Sequence, residues 1–365
     1  MNRDNVIKLY DRLAGLVDKL PGGLQKPILR ELTPIREVFL EQRPARLLLI
    51  GEVGRSVPEF LNQLCPGAFF ETGPSDNGWR TYSLPERGEV QILDARADVP
   101  REGIEAALER YPADLLLYPV ESGDSLTLPV LETAAWVAET AGRTVPLIGI
   151  VEGDEALRAR FSALLPSRKE LASRRWLVTT FEPAEALAEM MCSLLPDSAK
   201  LEFARLSGAK QAQAQIAKSL LKSFTAVCGV IGVQPIPLAD MPVLTALQTL
   251  MVGLIIHTTG RNVSPRLIAE FLGALGLNVG AGILFREGAR ALVRIVPFWG
   301  NAVSGIVAGA GTYAIGRAAI AYFIEDTPLT ETRKLFHHLL PGWFSFRKRQ
   351  LPMEKEVNLP EKTGE

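Results

Sequence analysis

Ala45-Arg46-Leu47-Leu48-Leu49-Ile50-Gly51 runs straight into Glu52-Val53-Gly54-Arg55-Ser56-Val57-Pro58-Glu59-Phe60-Leu61. A short apolar run ending in glycine reads as a buried strand, and Ser56-Val57-Pro58-Glu59 reads as a capping box opening a helix. Working outward, comparable apolar runs recur at Val90–Asp94, Asp114–Val120, Pro146–Val151 and Trp176–Thr180, with a weaker one at Arg80–Leu84. Helical patterns lie between them at Pro58–Leu64, Gly103–Arg110, Val130–Ala141, Asp154–Leu164 and Pro183–Leu195. Strands alternating with helices predict an α/β fold: a mostly parallel six-stranded sheet with helices on both faces. Residues 80–94 are expected to form one antiparallel hairpin near its start.

The flanks differ in texture. Residues 4–18 and 24–42 are expected to be helices, separated at Pro21-Gly22-Gly23. The start, MNRDNVIKLYDRL, is polar and lacks the apolar run of a secretory signal. Ala199–Phe224 reads as one long helix, and residues 225–325 as helical and rich in Gly and Ala. The expected organisation is therefore N-terminal helices over 1–43, the α/β domain over 44–197 and a connector helix over 198–224. An all-α domain over 225–326 and a polar tail over 327–365 follow.

Composition removes several function classes. Forty Lys and Arg against 41 Asp and Glu give a formal net charge of −1, without the positive footprint that a nucleic-acid binder needs. Cys65, Cys192 and Cys228 are far apart, which suits reduced thiols and neither a disulfide framework nor a metal cluster. Only His257, His337 and His338 are present, so a zinc site or a histidine-based triad is not expected.

In a nucleotide-binding loop of the form Gly-x-x-x-x-Gly-Lys-Ser/Thr, backbone N–H groups cradle phosphate, the lysine reaches the β- and γ-phosphates and the hydroxyl binds Mg²⁺. Counted from Gly51, the second glycine, lysine and hydroxyl fall on Ser56, Val57 and Pro58; counted from Gly54-Arg55-Ser56, the loop is two residues short. Glu59 would answer the partial positive charge of the helix start, with Glu52 nearby. Later elements are eroded too. Asp94-Ala95-Arg96-Ala97 keeps the Asp of an Asp-x-x-Gly element and loses its Gly, and Val151-Glu152-Gly153-Asp154 keeps only the final Asp of Asn-Lys-x-Asp. Asp94 also reads as a polar end of a strand and Asp154 as a helix N-cap. Thr72 and Thr81 are weak matches to a switch threonine.

With these residues and the order β-α-β-β-α-β-α-β-α-β-α, residues 45–195 resemble a Ras-like, Era-like GTPase domain whose guanine-nucleotide motifs have degenerated. Val233-Gln234-Pro235-Ile236-Pro237-Leu238-Ala239-Asp240, Leu247-Gln248-Thr249-Leu250-Met251 and Gly316-Arg317-Ala318-Ala319-Ile320-Ala321-Tyr322-Phe323 resemble a C-terminal domain of unknown function. That domain is shared by bacterial Era-like GTPases and YcjF-like inner-membrane proteins. The resemblance implies a G domain coupled to a membrane-associated module on the cytoplasmic side. Any vestigial GTP site would comprise Gly51, Gly54, Arg55, Ser56, Asp94 and Asp154.

Hydropathy is consistent with that implication. Between Lys222 and Arg261 the only charged residue is Asp240, and between Arg294 and Arg317 there is none. Pro242–His257 is short for a span and suits a core helix, whereas Ala302–Ile324 is long enough and carries the small-residue stripe Ser304/Ala308/Thr312/Gly316. Such a stripe serves either a lipid-embedded contact or a tight soluble hairpin. Arg317 inside it is costly near a bilayer centre. Phe271–Phe285 reads as a Gly-broken buried or re-entrant element. The cations Arg286, Arg290, Arg294 and Arg347-Lys348-Arg349 suit an anionic leaflet or a solvated face, and Trp299, Trp343 and Phe344 suit an interfacial anchor or a core. Asp240 reads as an N-cap or as a partner for Arg261. The sequence thus points to a pseudo-GTPase that binds the membrane and itself or another protein, with no catalytic residue, cofactor or nucleic acid. Its alternatives are an unconventional GTPase using GTP and Mg²⁺, and a soluble oligomeric scaffold.

Overall fold

The computed structural model describes residues 41–65, 70–96, 100–121, 126–152, 155–164, 176–180, 182–232, 240–275 and 301–340, with scattered positions between 15 and 39. At its centre is β1 (Ala45–Leu49), followed by α1 (Val57–Leu64), β2 (Glu71–Asp76), β3 (Trp79–Leu84) and β4 (Gly88–Asp94). Then come α2 (Arg101–Arg110), β5 (Leu115–Val120), α3 (Leu128–Ala141), β6 (Leu147–Val151), α4 (Glu155–Leu164), β7 (Trp176–Thr179) and α5 (Ala184–Leu194). The strands form one seven-stranded sheet in the order β2-β3-β4-β1-β5-β6-β7. β1 pairs parallel with β4 and β5, and β5, β6 and β7 continue in parallel. β2, β3 and β4 pair antiparallel, which makes the sheet mixed.

Six strands were expected, and the seventh is β2. Its sequence, Glu-Thr-Gly-Pro-Ser-Asp, has no apolar alternation because it is an exposed edge strand, with an irregular register between Thr72 and Ser75. Thr72 faces Tyr82 and Thr81 faces Gln91, so both switch-threonine candidates sit in strands and neither in a loop.

Alternation along β1 sorts the core. Leu47 and Leu49 face α1 and α5, meeting Phe60, Leu61, Leu187 and Met191. Leu48 and Ile50 face the opposite layer, with Ile104, Leu131, Ala134 and Phe161 from α2, α3 and α4. The expectation of helices on both faces is met.

The expected single helix over Ala199–Phe224 is two. α6 (Asp197–Ser207) ends at Gly208, whose left-handed φ of 73° and bond to the Ala204 carbonyl close the helix. α7 (Lys210–Gly232) then starts under the Glu189 carboxylate, which accepts from the Gln211 and Ala212 N–H groups at 2.6 and 2.8 Å. The chain continues through α8 (Asp240–Thr258), α9 (Pro265–Ala274), α10 (Asn301–Phe323) and α11 (Leu329–Leu339). Among the residues expected to break the N-terminal helices, Gly22 and Gly23 are helical.

α7 and α10 pack closely at small residues. A Cβ on Gly309 would lie 3.6 Å from the Thr225 carbonyl and 3.7 Å from the Gly229 Cα, and Gly316 lies under Leu221 and Met251. Thr312 accepts from Gln248 at 2.9 Å and donates to the Ala308 carbonyl at 2.8 Å, pinning α8 to α10 through buried polar groups. Ala308, Thr312 and Gly316 of the small-residue stripe thus serve contacts within the chain. The apolar core is continuous from Leu47 through Phe203 of α6 to Phe224, Met251 and Ile320.

Arg261 pairs with Asp326 at 3.7 Å, and Asp326, at a left-handed φ of 51°, also takes Lys210 at 2.8 Å. Asp240 begins α8; its side chain and the segments holding Arg286, Arg290, Arg294, Trp299, Trp343 and Arg347 lie outside the described residues. Arg317 donates to Glu325 at 2.9 Å. Among the described residues, α7 alone is a helix long and apolar enough to cross a membrane, and half of its apolar window is buried inside the protein.

Candidate functional site at the carboxyl end of the sheet

The loop after β1 turns toward α1 on one face, while the chain leaving β5 goes to α3 on the other. Between them the strand order reverses, which is where open α/β sheets place ligands. Gly51 makes the first turn at a φ of 105°, and a Cβ there would stand 2.8 Å from the Tyr118 ring, so only glycine fits. Burial and the nearby Glu52 push the Tyr118 phenol above its ordinary range.

Ser56 is the N-cap of α1, as expected from the sequence. Its hydroxyl accepts from the Glu59 N–H at 3.4 Å and donates to the Glu59 carboxylate at 2.9 Å, and that carboxylate also accepts from the Ser56 N–H at 2.9 Å. The Ser56 N–H and hydroxyl together hold Glu59 below the usual carboxylate range. The partial positive charge of the helix start is thereby met inside the motif.

Arg55 is engaged from two other strands. Its guanidinium forms a bidentate pair with Glu152, just beyond β6, with Nη1 2.6 Å from Oε1 and Nη2 on Oε2. Its backbone N–H donates to Glu121, just beyond β5, at 3.2 Å. Gln63, the penultimate residue of α1, accepts from Arg55 Nη1 and donates to Glu152 at 2.7 Å. The Glu152 hydrogen bond holds the guanidinium firmly in its charged form. Gly54 leaves room for this contact: a Cβ there would fall 2.8 Å from a Glu121 carboxylate oxygen.

Asp94 ends β4 and is taken by its neighbour. Arg96 Nε and Nη2 donate to its two oxygens at 2.9 and 3.0 Å, and the Arg96 N–H adds a third bond at 3.1 Å. Asp154 lies outside the described residues. Of the sequence-predicted site residues, the fold therefore brings Gly51, Gly54, Arg55 and Ser56 into one loop and commits Asp94 to Arg96. The roles of Glu121, Glu152 and Gln63 were not anticipated. Glu121 follows a strand whose end was legible, and an acid in that position faces the loop after β1 by topology alone. Among the described residues no three His, Cys, Asp or Glu side chains group as a metal site.

Chemically, the loop presents a guanidinium, backbone N–H groups and a hydroxyl, and those of Arg55 and Ser56 are engaged within the chain. The Arg55 guanidinium, the Arg55 and Ser56 N–H groups and the Ser56 hydroxyl all go to carboxylates of the same chain. No family model matches the chain, and no curated protein matches it in sequence.

Proposed function

We propose that the chain is a pseudo-GTPase: a Ras-like α/β domain retained as a binding and regulatory module, attached to a helical domain that associates with the cytoplasmic side of a membrane. The observation that carries this reading is the occupation of the β1–α1 loop by Glu59, Glu121 and Glu152. An incoming phosphate would meet three carboxylates and would have to displace them. The strand order is consistent with the Ras-like assignment, with β3 antiparallel to β4 and the remaining strands from β4 to β7 parallel. So is the division of helices, with α1 and α5 on one face and α2, α3 and α4 on the other. Loss of the lysine and of the Asp-x-x-Gly glycine argues against the unconventional GTPase.

The work of such a domain is binding without turnover, to a protein partner or to a second copy. Membrane association rests on the uncharged stretches around α7, α8 and α10 and on the basic groups that flank them. A soluble scaffold is the second reading, and the burial of Leu247, Leu250, Val252, Leu254, Ile255 and Ile256 of α8 within the bundle favours it.

Thermal denaturation of the full chain tests the first part. A ligand that binds only the folded state raises the midpoint, so millimolar Mg²⁺-GTP or Mg²⁺-GDP is expected to leave it unchanged; a rise of several degrees would sink the pseudo-GTPase. Flotation with anionic vesicles decides between membrane and scaffold. Recovery entirely in the unfloated, detergent-free fraction removes the membrane claim.

A further inference from the structure

Glu59 belongs to the helix that it caps, whereas Glu121 and Glu152 reach the loop from the ends of two other strands. We infer that Glu121 and Glu152 form an autoinhibitory lock, holding the Arg55 guanidinium and N–H against an external anion of the phosphate or polyphosphate class. The inference rests on the reading of this cleft as a degenerate nucleotide site and states what keeps it shut.

Three features support a lock over a static structural pair. The Arg55, Glu121 and Glu152 side chains remain 31%, 33% and 25% exposed, so the contact opens without unpacking the core. Gln63 bonds to both members of the pair, fixing Glu152 in the bidentate geometry that a phosphate would otherwise take. The carboxylates are tethered, so a free anion competes against a high effective concentration and loses. Neutralising them removes the competitor and leaves Arg55 as the one cation in the loop between Gly51 and Ser56.

The test is calorimetric titration of the full chain with inorganic pyrophosphate at low salt. Wild type, E121Q/E152Q and E121Q/E152Q/R55A are compared. Wild type is expected to show no saturation, the double variant to bind at least about tenfold more tightly, and the triple variant to return to wild-type behaviour. A double variant that melts with a wild-type midpoint yet binds no better overturns the lock, as does a triple variant that binds like the double. Should the double variant fail to fold, E152Q alone is held to the same criteria. Wild-type saturation with Mg²⁺-GTP would remove the degenerate-site reading itself. Absence of nucleotide binding in wild type together with absence of pyrophosphate binding in the variant removes only the lock.

Discussion

Arg55 and Glu152, 97 residues apart in sequence, form a bidentate pair across the carboxyl end of the sheet, where β1 and β6 are separated by β5. The pair ties the first loop of the α/β unit to the end of its penultimate strand and engages both η nitrogens of the Arg55 guanidinium.

Its contribution to stability is small, because both partners are part-exposed and screened. Arg55→Ala is expected to cost no more than about 1 kcal/mol. Ser56→Ala removes the hydroxyl half of the capping box, leaving the backbone N–H bond to Glu59, and is expected to cost about 0.5–2 kcal/mol. Urea unfolding of the two variants checks the ordering: Ser56→Ala should be the less stable.

Gly149 lies in the middle of β6 directly beneath the Phe161 ring, which itself packs on Tyr118 with centroids 5.1 Å apart. A methyl group there has nowhere to go, and Gly149→Ala is expected to destabilise by about 1–3 kcal/mol. Gly311 in α10 has nothing within 4 Å of a built Cβ. Gly311→Ala should therefore stabilise by about 0.5–1 kcal/mol through helix propensity. Chemical denaturation midpoints that moved in the same direction for both would contradict this packing.

His257 is buried at 3% exposure, with neither ring nitrogen bonded, and packs beside Phe39. Burial, with the Arg205 charge nearby, pulls its pKa down to about 3. A folded-state pKa below the unfolded value of about 6.5 means that the unfolded chain binds the proton first. Stability from this group is complete above pH 6.5 and falls as pH drops toward 3, by up to about 1.4 kcal/mol per unit. His257→Leu should flatten that slope between pH 6 and 4. Equal slopes for both proteins would show that His257 is not the group responsible.

Cys65, Cys192 and Cys228 are the chain's three cysteines, all buried and unpaired, and burial pushes each thiol up to about 12. The thiolate is the reactive form. An aromatic disulfide reagent at pH 8 should titrate none in the native protein and all three in denaturant; rapid native labelling would contradict the burial of these thiols.

The sequence was legible where a single local signal decides an element. The apolar runs placed six strands, and Ser56-Val57-Pro58-Glu59 gave the start of α1 together with the capping box itself. β2 escaped because an exposed edge strand needs no apolar face, although Asn77-Gly78 marked it: both residues have positive φ in the two-residue β2–β3 turn. The α6–α7 break escaped because one glycine in a polar helical stretch is weak punctuation until Glu189, from a separate helix, caps the new start. At the site, local reading foresaw the Glu59 cap. The roles of Glu121 and Glu152 depend on β1, β5 and β6 lying side by side, whereas the Asp94–Arg96 pair is local and lay within the quoted Asp94-Ala95-Arg96-Ala97 without being read as a pair. Long-range pairing is a property of the sheet order, which spacing along one chain does not encode.

The most direct measurement is isothermal titration of the full chain with Mg²⁺-GTP and Mg²⁺-GDP. The full chain is required because the core runs unbroken from β1 into α7, α8 and α10, and truncation would expose it. No saturable heat is expected up to millimolar nucleotide, because Glu59, Glu121 and Glu152 already take the loop's Arg55 and Ser56 donors. Stoichiometric binding with a micromolar Kd would mean that Glu121 and Glu152 yield to phosphate, and would contradict this expectation.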